Sequence, residues 1–175
     1  MTNRIATFLL VASLCSLGVA QGKKAGRLSP HDKTSVTLGG KEITIEYGRP
    51  YLKGRSVGKE VAPFGQVWRT GADEATKLTT PVNLKIGTLA VPAGSYSLYT
   101  LPSAKGWKLI VNKTAEQWGT EYAQSTDFGR VNMKVAKAAA SVEQLTLSFD
   151  KASEKKATLK IAWGNTVASV AVVVQ

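Results

Sequence analysis

TSVTLGGKEITIEY, residues 34–47, decides the fold class. Thr34, Val36 and Leu38 alternate with Ser35 and Thr37, and Ile43, Ile45 and Tyr47 alternate with Glu42, Thr44 and Glu46. Successive side chains of an extended strand point to opposite faces, so a period of two gives each run one apolar and one polar face. Between the runs, Gly39-Gly40 supplies two residues that take positive φ without steric cost, which a two-residue hairpin turn requires. The resulting register sets Val36 opposite Ile43.

Outward from this hairpin the same period recurs. It predicts strands over 66–70, 76–80, 82–86, 94–101, 107–112, 131–135, 144–149, 157–163 and 169–174. Turn residues mark the breaks, with Pro92-Ala93-Gly94 and the run from Pro102 to Gly106 providing a fixed φ followed by a permissive glycine. Many short strands at this spacing predict an all-β chain, specifically an antiparallel β-sandwich of jelly-roll type. One short helix is expected over 114–122, with Thr114 capping its first turn, Gln117 reaching back, and Trp118 anchoring it to the sheet. The Ala-rich run 134–140 offers a second, marginal helical piece. No repeat or low-complexity block divides the chain.

The amino terminus carries a different signal. Arg4 precedes an apolar stretch from Ile5 to Leu17, and Gly18-Val19-Ala20 provides small residues for cleavage. The stretch is too short for a comfortable membrane span, and the pattern is that of a secretory signal peptide cleaved near Ala20. A secreted or periplasmic protein is expected, with a mobile leader over 21–27 and one domain over 28–175. Cys15, the one cysteine, lies inside the signal, and the bulky Leu14 before it disfavours lipidation. The mature chain of about 155 residues then has no thiol and no disulfide, and its stability must come from its core.

Composition narrows the chemistry. The formal net charge is +11, and removal of Arg4 with the signal lowers it to +10. The lysines are scattered along strands and turns rather than gathered, so the expectation is a solvated basic surface and no nucleic-acid partner. A mature chain with one histidine, His31, and no cysteine cannot build the usual zinc site. Asp73, Glu74 and Asp127 could offer oxygen ligands, but no loop carries acids at alternate positions as calcium sites do. No Gly-x-Ser-x-Gly elbow supports a serine triad. No metal or other cofactor is expected.

Against this background the segment YGRPYLKGRSVGKEVAPFGQVWRTGADEAT, residues 47–76, stands out. Connections of this length within a compact domain are uncommon and tend to carry function. Arg49 before Pro50, Arg55 after Gly54, and Arg69 after Trp68 are each set beside a residue that constrains the backbone or the packing, and a guanidinium recognises carboxylate or phosphate through two parallel hydrogen bonds. Tyr47, Tyr51 and Trp68 offer flat apolar surfaces, although Trp68, like Trp107 and Trp163, also suits a core position. Asp73 and Glu74 either pair with Arg69 or Arg49 to pin the loop, or point into a cleft.

Several further blocks accompany this segment in order: SPHDKTSV (29–36), IEYGRPYLKGR (45–55), APFGQVWRTGADEAT (62–76), VPAGSYSLYTLP (91–102), GWKLIVN (106–112) and IAWGNTVASVAVVV (161–174). Together they resemble the domain of unknown function 2911 family, a group of secreted bacterial proteins, from about Leu28 to the end. WRTGADEAT is the most specific of them. The family pattern usually has an amide residue where this chain has Asp73. The resemblance implies a secreted β-rich domain and no established activity.

The expected site therefore comprises Arg49, Arg55, Arg69, Asp73, Glu74, Tyr47 and Trp68, with His31 as a lesser member. His31 could pair with the adjacent Asp32, or the two could simply form the turn into the first strand, with Asp32 capping a backbone amide. The preferred function is binding of an anionic or carbohydrate-type small ligand in a cleft formed by residues 47–76. The alternatives are a hydrolase or isomerase acting on sugars through Asp73 and Glu74, with Glu46 as a further carboxylate, and an envelope-associated interaction module without a small-molecule site.

Overall fold

A computed structural model describes residues 26–175. The expected signal peptide, Cys15 and residues 21–25 of the leader lie outside the described residues. The strands are β1 (His31–Leu38), β2 (Lys41–Gly48), β3 (Thr76–Thr80), β4 (Leu84–Ile86), β5 (Leu89–Val91), β6 (Gly94–Leu101), β7 (Trp107–Asn112), β8 (Asp127–Ser153) and β9 (Lys156–Val174). All pair antiparallel, in the spatial order β1-β2-β3-β6-β7-β8-β9-β4-β5. The chain is thus all-β, and its nine strands follow one continuous hydrogen-bonded order. Among the described residues, no helix is long and apolar enough to cross a membrane.

The opening hairpin forms as its pattern dictates. Val36 pairs with Ile43, and Gly39 and Gly40 turn the chain at φ +57° and +72°. Val36, Leu38, Ile43, Ile45 and Tyr47 are buried on one face, while Ser35, Thr37, Glu42 and Glu46 are exposed on the other. Beyond β2 the chain bends across to β8. Tyr51 bridges Gln144, Leu52 N–H donates to Glu143 O at 2.9 Å, and Leu145 N–H donates to Pro50 O at 3.0 Å. The sheet therefore folds back on itself, and residues from both of its ends share one core that includes Leu38, Ile45, Leu98, Leu109, Leu145 and Ile161.

Several local expectations give way to tertiary pairing. Residues 131–135 and 144–149 belong to one 27-residue strand, β8, and 157–163 and 169–174 to one 19-residue strand, β9. The interruptions between them are register shifts rather than turns: Lys137 pairs with Thr166 but Val142 pairs with Gly164, so Ala138 to Ser141 bulge from the ladder. In β9 the buried positions change from 157, 159, 161 and 163 to 168, 170 and 172, because Gly164, at φ +56°, leaves the extended conformation and shifts the alternation by one. The Ala-rich run 134–140 is therefore strand, not helix. Strand 66–70 reduces to a single bridge between Trp68 and Thr100, and β5 is a short strand the periodicity did not mark.

The helix expected over 114–122 is absent, and the one helical turn among the described residues is a 3₁₀ turn over Gln124–Thr126. Its backbone groups are claimed by the neighbouring loop. Ala75 N–H donates to Gln117 O at 3.2 Å, and Gly119 N–H donates to Asp73 O at 2.9 Å. Gln117, rather than capping, donates from Nε2 to Ser97 Oγ at 3.0 Å and to Tyr99 OH at 3.1 Å. Trp118 instead sits at an isolated bridge to Glu74.

Candidate functional site

Residues 49–75 leave β2, cross the end of the sheet and enter β3, and their path is fixed by hydrogen bonds and local strain. Thr70 and Asp73 adopt positive φ, +57° and +64°. For a β-branched residue such as Thr70 this is a true outlier, tolerated where surroundings over-determine it. Here they do: Thr70 is fully buried, its Oγ1 lies 3.3 Å from Thr100 Oγ1, and its carbonyl accepts from Thr76 Oγ1 at 2.9 Å. The turn carries Arg69 before it and the Asp73-Glu74 pair at its end.

A cleft of about 640 Å3 opens against this turn. Arg55, Trp68, Arg69 and Asp73 line it, joined by Lys53 and Tyr51 from the start of the segment and by Tyr99, Tyr122 and Trp163 from the sheet and its neighbouring loop. Its aromatic wall is ordered. Trp68 stacks on Trp163 with centroids 5.4 Å apart and planes 14° from parallel, and meets the buried Trp107 edge-on at 6.3 Å. Trp68 is thus both a core residue and a cleft residue, half-buried between the two.

The expected arginines diverge in role. Arg49 is consumed by the scaffold: Nε donates to Leu145 O at 3.0 Å, Nη2 to Thr146 Oγ1 at 3.1 Å, and Nη1 to Asp32 Oδ2 at 2.9 Å. It ties β2 to β8 and lies outside the cleft. Arg55 turns back on its own loop, donating to Leu52 O and Tyr51 O at 2.9 and 2.8 Å. Arg69 makes one long hydrogen bond, Nε to Gly71 O at 3.4 Å, and no carboxylate among the described residues pairs with it. Gly119 holds its stem in place, since a Cβ there would lie 2.2 Å from Arg69 Cδ.

Asp73 and Glu74 face the segment preceding β1 rather than either expected arginine. Asp73, 4% exposed, accepts from Leu28 N–H at 3.2 Å and from Ser29 N–H at 3.1 Å, and its Oδ2 lies 3.1 Å from His31 Nε2. Burial pushes the Asp73 carboxyl up, but the two backbone N–H groups and His31 outweigh it and hold the carboxyl below its usual range. Glu74 receives Arg27 Nε at 3.0 Å to both oxygens and lies 3.5 Å from His31 Nε2. It too is held low: burial opposes ionisation, but backbone hydrogen bonding and Arg27 prevail.

His31 thus turns to Asp73 and not to Asp32. Asp32 instead accepts Lys33 N–H at 2.8 Å and pairs with Arg49. Tyr47, 3% exposed, exchanges hydrogen bonds with the backbone of Leu147 at 3.0 and 3.4 Å. Tyr47, His31, Glu74 and the exposed Glu46 border a second, smaller pocket of about 160 Å3.

Several cleft residues escaped the sequence reading, Tyr99, Gly119, Tyr122 and Trp163 among them. Tyr99 lies on a correctly placed strand, but alternation alone does not separate an aromatic that faces a cleft from one in the core. Tyr122 and Gly119 fell within the expected helix. Arg27 was assigned to a mobile leader, and no local signal marks its partner 47 residues away.

No curated protein matches the chain, and no solved structure does. The model of one family, described as a protein of unknown function (DUF2911), matches residues 29–172. That span contains nearly all of the cleft, including the Arg69 turn, the aromatic wall and Tyr99, and the chain belongs to the DUF2911 family.

Proposed function

We propose that this protein binds a small anionic ligand of carbohydrate type in the cleft formed by the 47–76 segment and the sheet. One observation carries this: Arg69 enters an aromatic-walled cleft without a carboxylate partner among the described residues, although two carboxylates, Glu60 and Asp73, line the same cleft and accept backbone N–H groups instead, from Ser56 and from Leu28 and Ser29. A partly buried cation left without an internal counter-ion is costly unless something outside supplies one. The stacked Trp68 and Trp163 give the same cleft a flat apolar surface suited to the face of a sugar ring.

Asp73 and Glu74 serve this site as scaffold. Their carboxylates hold the 27–31 segment against the cleft and accept from N–H donors, an arginine and a histidine, which supports binding over the acid-base reading. Secretion after cleavage near Ala20 would place the cleft outside the cytoplasm.

A thermal-shift screen tests the proposal, because a ligand that binds only the native state must raise its stability. Glucuronate or a sugar phosphate should raise the Tm of the wild-type protein, neutral glucose should do so less, and Arg69→Ala should abolish the gain. Equal stabilisation of wild type and Arg69→Ala would remove the site from this cleft.

A further inference from the structure

The turn at residues 51–55 sets two cations and an aromatic ring on the cleft wall with no acid among them. Tyr51, Lys53 and Arg55 all line the cleft, and Tyr51 is 41% exposed. Lys53 and Gly54 turn the chain at φ +50° and +78°, and Arg55 N–H donates to Leu52 O at 3.1 Å. The Arg55 guanidinium is then held by neutral acceptors, Nε donating to Leu52 O and Nη2 to Tyr51 O. Carbonyls orient a cation without neutralising it. Neither Arg55 nor the Lys53 ammonium pairs with a carboxylate among the described residues.

Glu143 docks this turn beside the tryptophan wall. Its backbone carbonyl accepts from Leu52 N–H at 2.9 Å and from Trp163 Nε1 at 3.3 Å, and its carboxylate accepts from Lys53 N–H at 2.9 Å. One residue of β8 thereby fixes Trp163 and the 51–55 turn next to each other. The cleft consequently repeats one combination. At one position the stacked Trp68 and Trp163 accompany Arg69, and at the other Tyr51 accompanies Lys53 and Arg55. Two carboxylates share the lining with these three cations, but their own partners lie elsewhere. Glu60 is held below its usual range first by the Ser56 N–H, with Arg55 adding least, and Asp73 is taken by Leu28, Ser29 and His31.

We propose that the ligand of this cleft is an oligomer of acidic sugars, with one unit against Trp68 and Arg69 and the next over Tyr51, its carboxylate at Lys53 and Arg55. This rests on the cleft reading given above and adds the ligand class to it: at least two linked units, each a ring bearing an acid. A repeated pairing of flat apolar surface with cation matches a polymer that repeats ring and carboxylate. Size agrees, since the 640 Å3 cleft lies within the roughly 300–1,000 Å3 of sites that take drug-sized ligands, more than a single sugar ring fills.

The test is isothermal titration calorimetry on the full chain with glucuronate, galacturonate and digalacturonate, for wild type, Tyr51→Ala, Lys53→Asn and Arg69→Ala. Asparagine is chosen at position 53 because it tolerates positive φ. Wild type should bind digalacturonate about tenfold tighter than galacturonate, or more, the gain expected from one further hydrogen bond to a charged group. Tyr51→Ala and Lys53→Asn should each remove most of that advantage, and Arg69→Ala should weaken monomer and dimer alike. If the dimer binds wild type no tighter than the monomer, or if both variants keep the full advantage, the oligomer assignment is overturned. The cleft reading then survives where a monomer still binds and Arg69→Ala abolishes that binding. If no probe binds wild type, both fall. Should one variant fail to fold, the other variant and the wild-type comparison of dimer with monomer decide.

Discussion

Asp73 Oδ2 accepts the Ser29 backbone N–H at 3.1 Å, joining the turn before β3 to the segment before β1 across 44 residues of sequence. With the Leu28 N–H on the other carboxylate oxygen, one side chain in a left-handed conformation clamps two successive peptide groups. The carboxylate form is required, because it alone offers two acceptor oxygens.

Asp73→Asn should therefore destabilise the protein by about 1–3 kcal/mol, since an amide places an NH2 against a backbone N–H that loses its acceptor. The folded-state pKa of Asp73 lies below its ordinary value of 3.8, so its stabilisation is present above that value and is lost as pH falls through the depressed one. Urea unfolding measured from pH 6 down to pH 2 should show an acid limb that is shallower in Asp73→Asn than in wild type. Parallel limbs would mean the clamp contributes nothing.

Replacing both Gly39 and Gly40 with Val should cost roughly 2–4 kcal/mol, from about 1–2 kcal/mol for each residue forced into left-handed geometry. The cost is conformational rather than steric, because a Cβ at Gly39 would sit 3.6 Å from Val174 and one at Gly40 would meet nothing within 4 Å. Thermal unfolding checks this, and an unchanged Tm would contradict the turn geometry.

Gly119→Ala separates site geometry from site chemistry. The added methyl would fall 2.2 Å from Arg69 Cδ and 2.8 Å from Asp73 O, so the Arg69 stem must move. A loss of about 1–3 kcal/mol of stability is expected from overpacking, together with the loss of glucuronate-induced stabilisation. Full retention of that stabilisation would show that Arg69 need not occupy its present position.

Tyr122 should titrate late. Burial, then the hydrogen bond to Asp127 and its charge, push the phenol up to about 12. A raised folded pKa means the associated stability is complete below the ordinary value of 10 and is lost as pH rises toward 12. Ultraviolet absorbance titration of wild type against Tyr122→Phe should reveal one phenol missing from the late-ionising group. If the missing phenol ionises near pH 10, the Tyr122–Asp127 contact is refuted.

Export can be checked by intact mass. The small residues Gly18 and Ala20, with Leu14 before Cys15, predict a secreted chain beginning at or near Gln21. An uncleaved or lipidated product would reject this.

Alternation alone determined the all-β class, the hairpin register from Val36 opposite Ile43, and strands β6 and β7 to the residue, because a period of two and a turn that needs glycine are local properties of the chain. The 47–76 segment was likewise visible as an unusually long connection rich in glycine and basic residues, from its length and composition. Tertiary structure decided what each charge does there. Arg49 and Arg69 carry equal promise in sequence, yet Arg49 meets Leu145, Thr146 and Asp32, while Arg69 is left facing a cleft. Residues 114–122 have a sound capping pattern, yet their backbone pairs with Asp73 and Ala75, since hydrogen bonds to a neighbouring loop outweigh the marginal stability of a helix so short. Partners such as Arg27 with Glu74 and Asp73 with Ser29 are separated by 47 and 44 residues. No local periodicity encodes such distances, because they are set by which strands the whole sheet brings side by side.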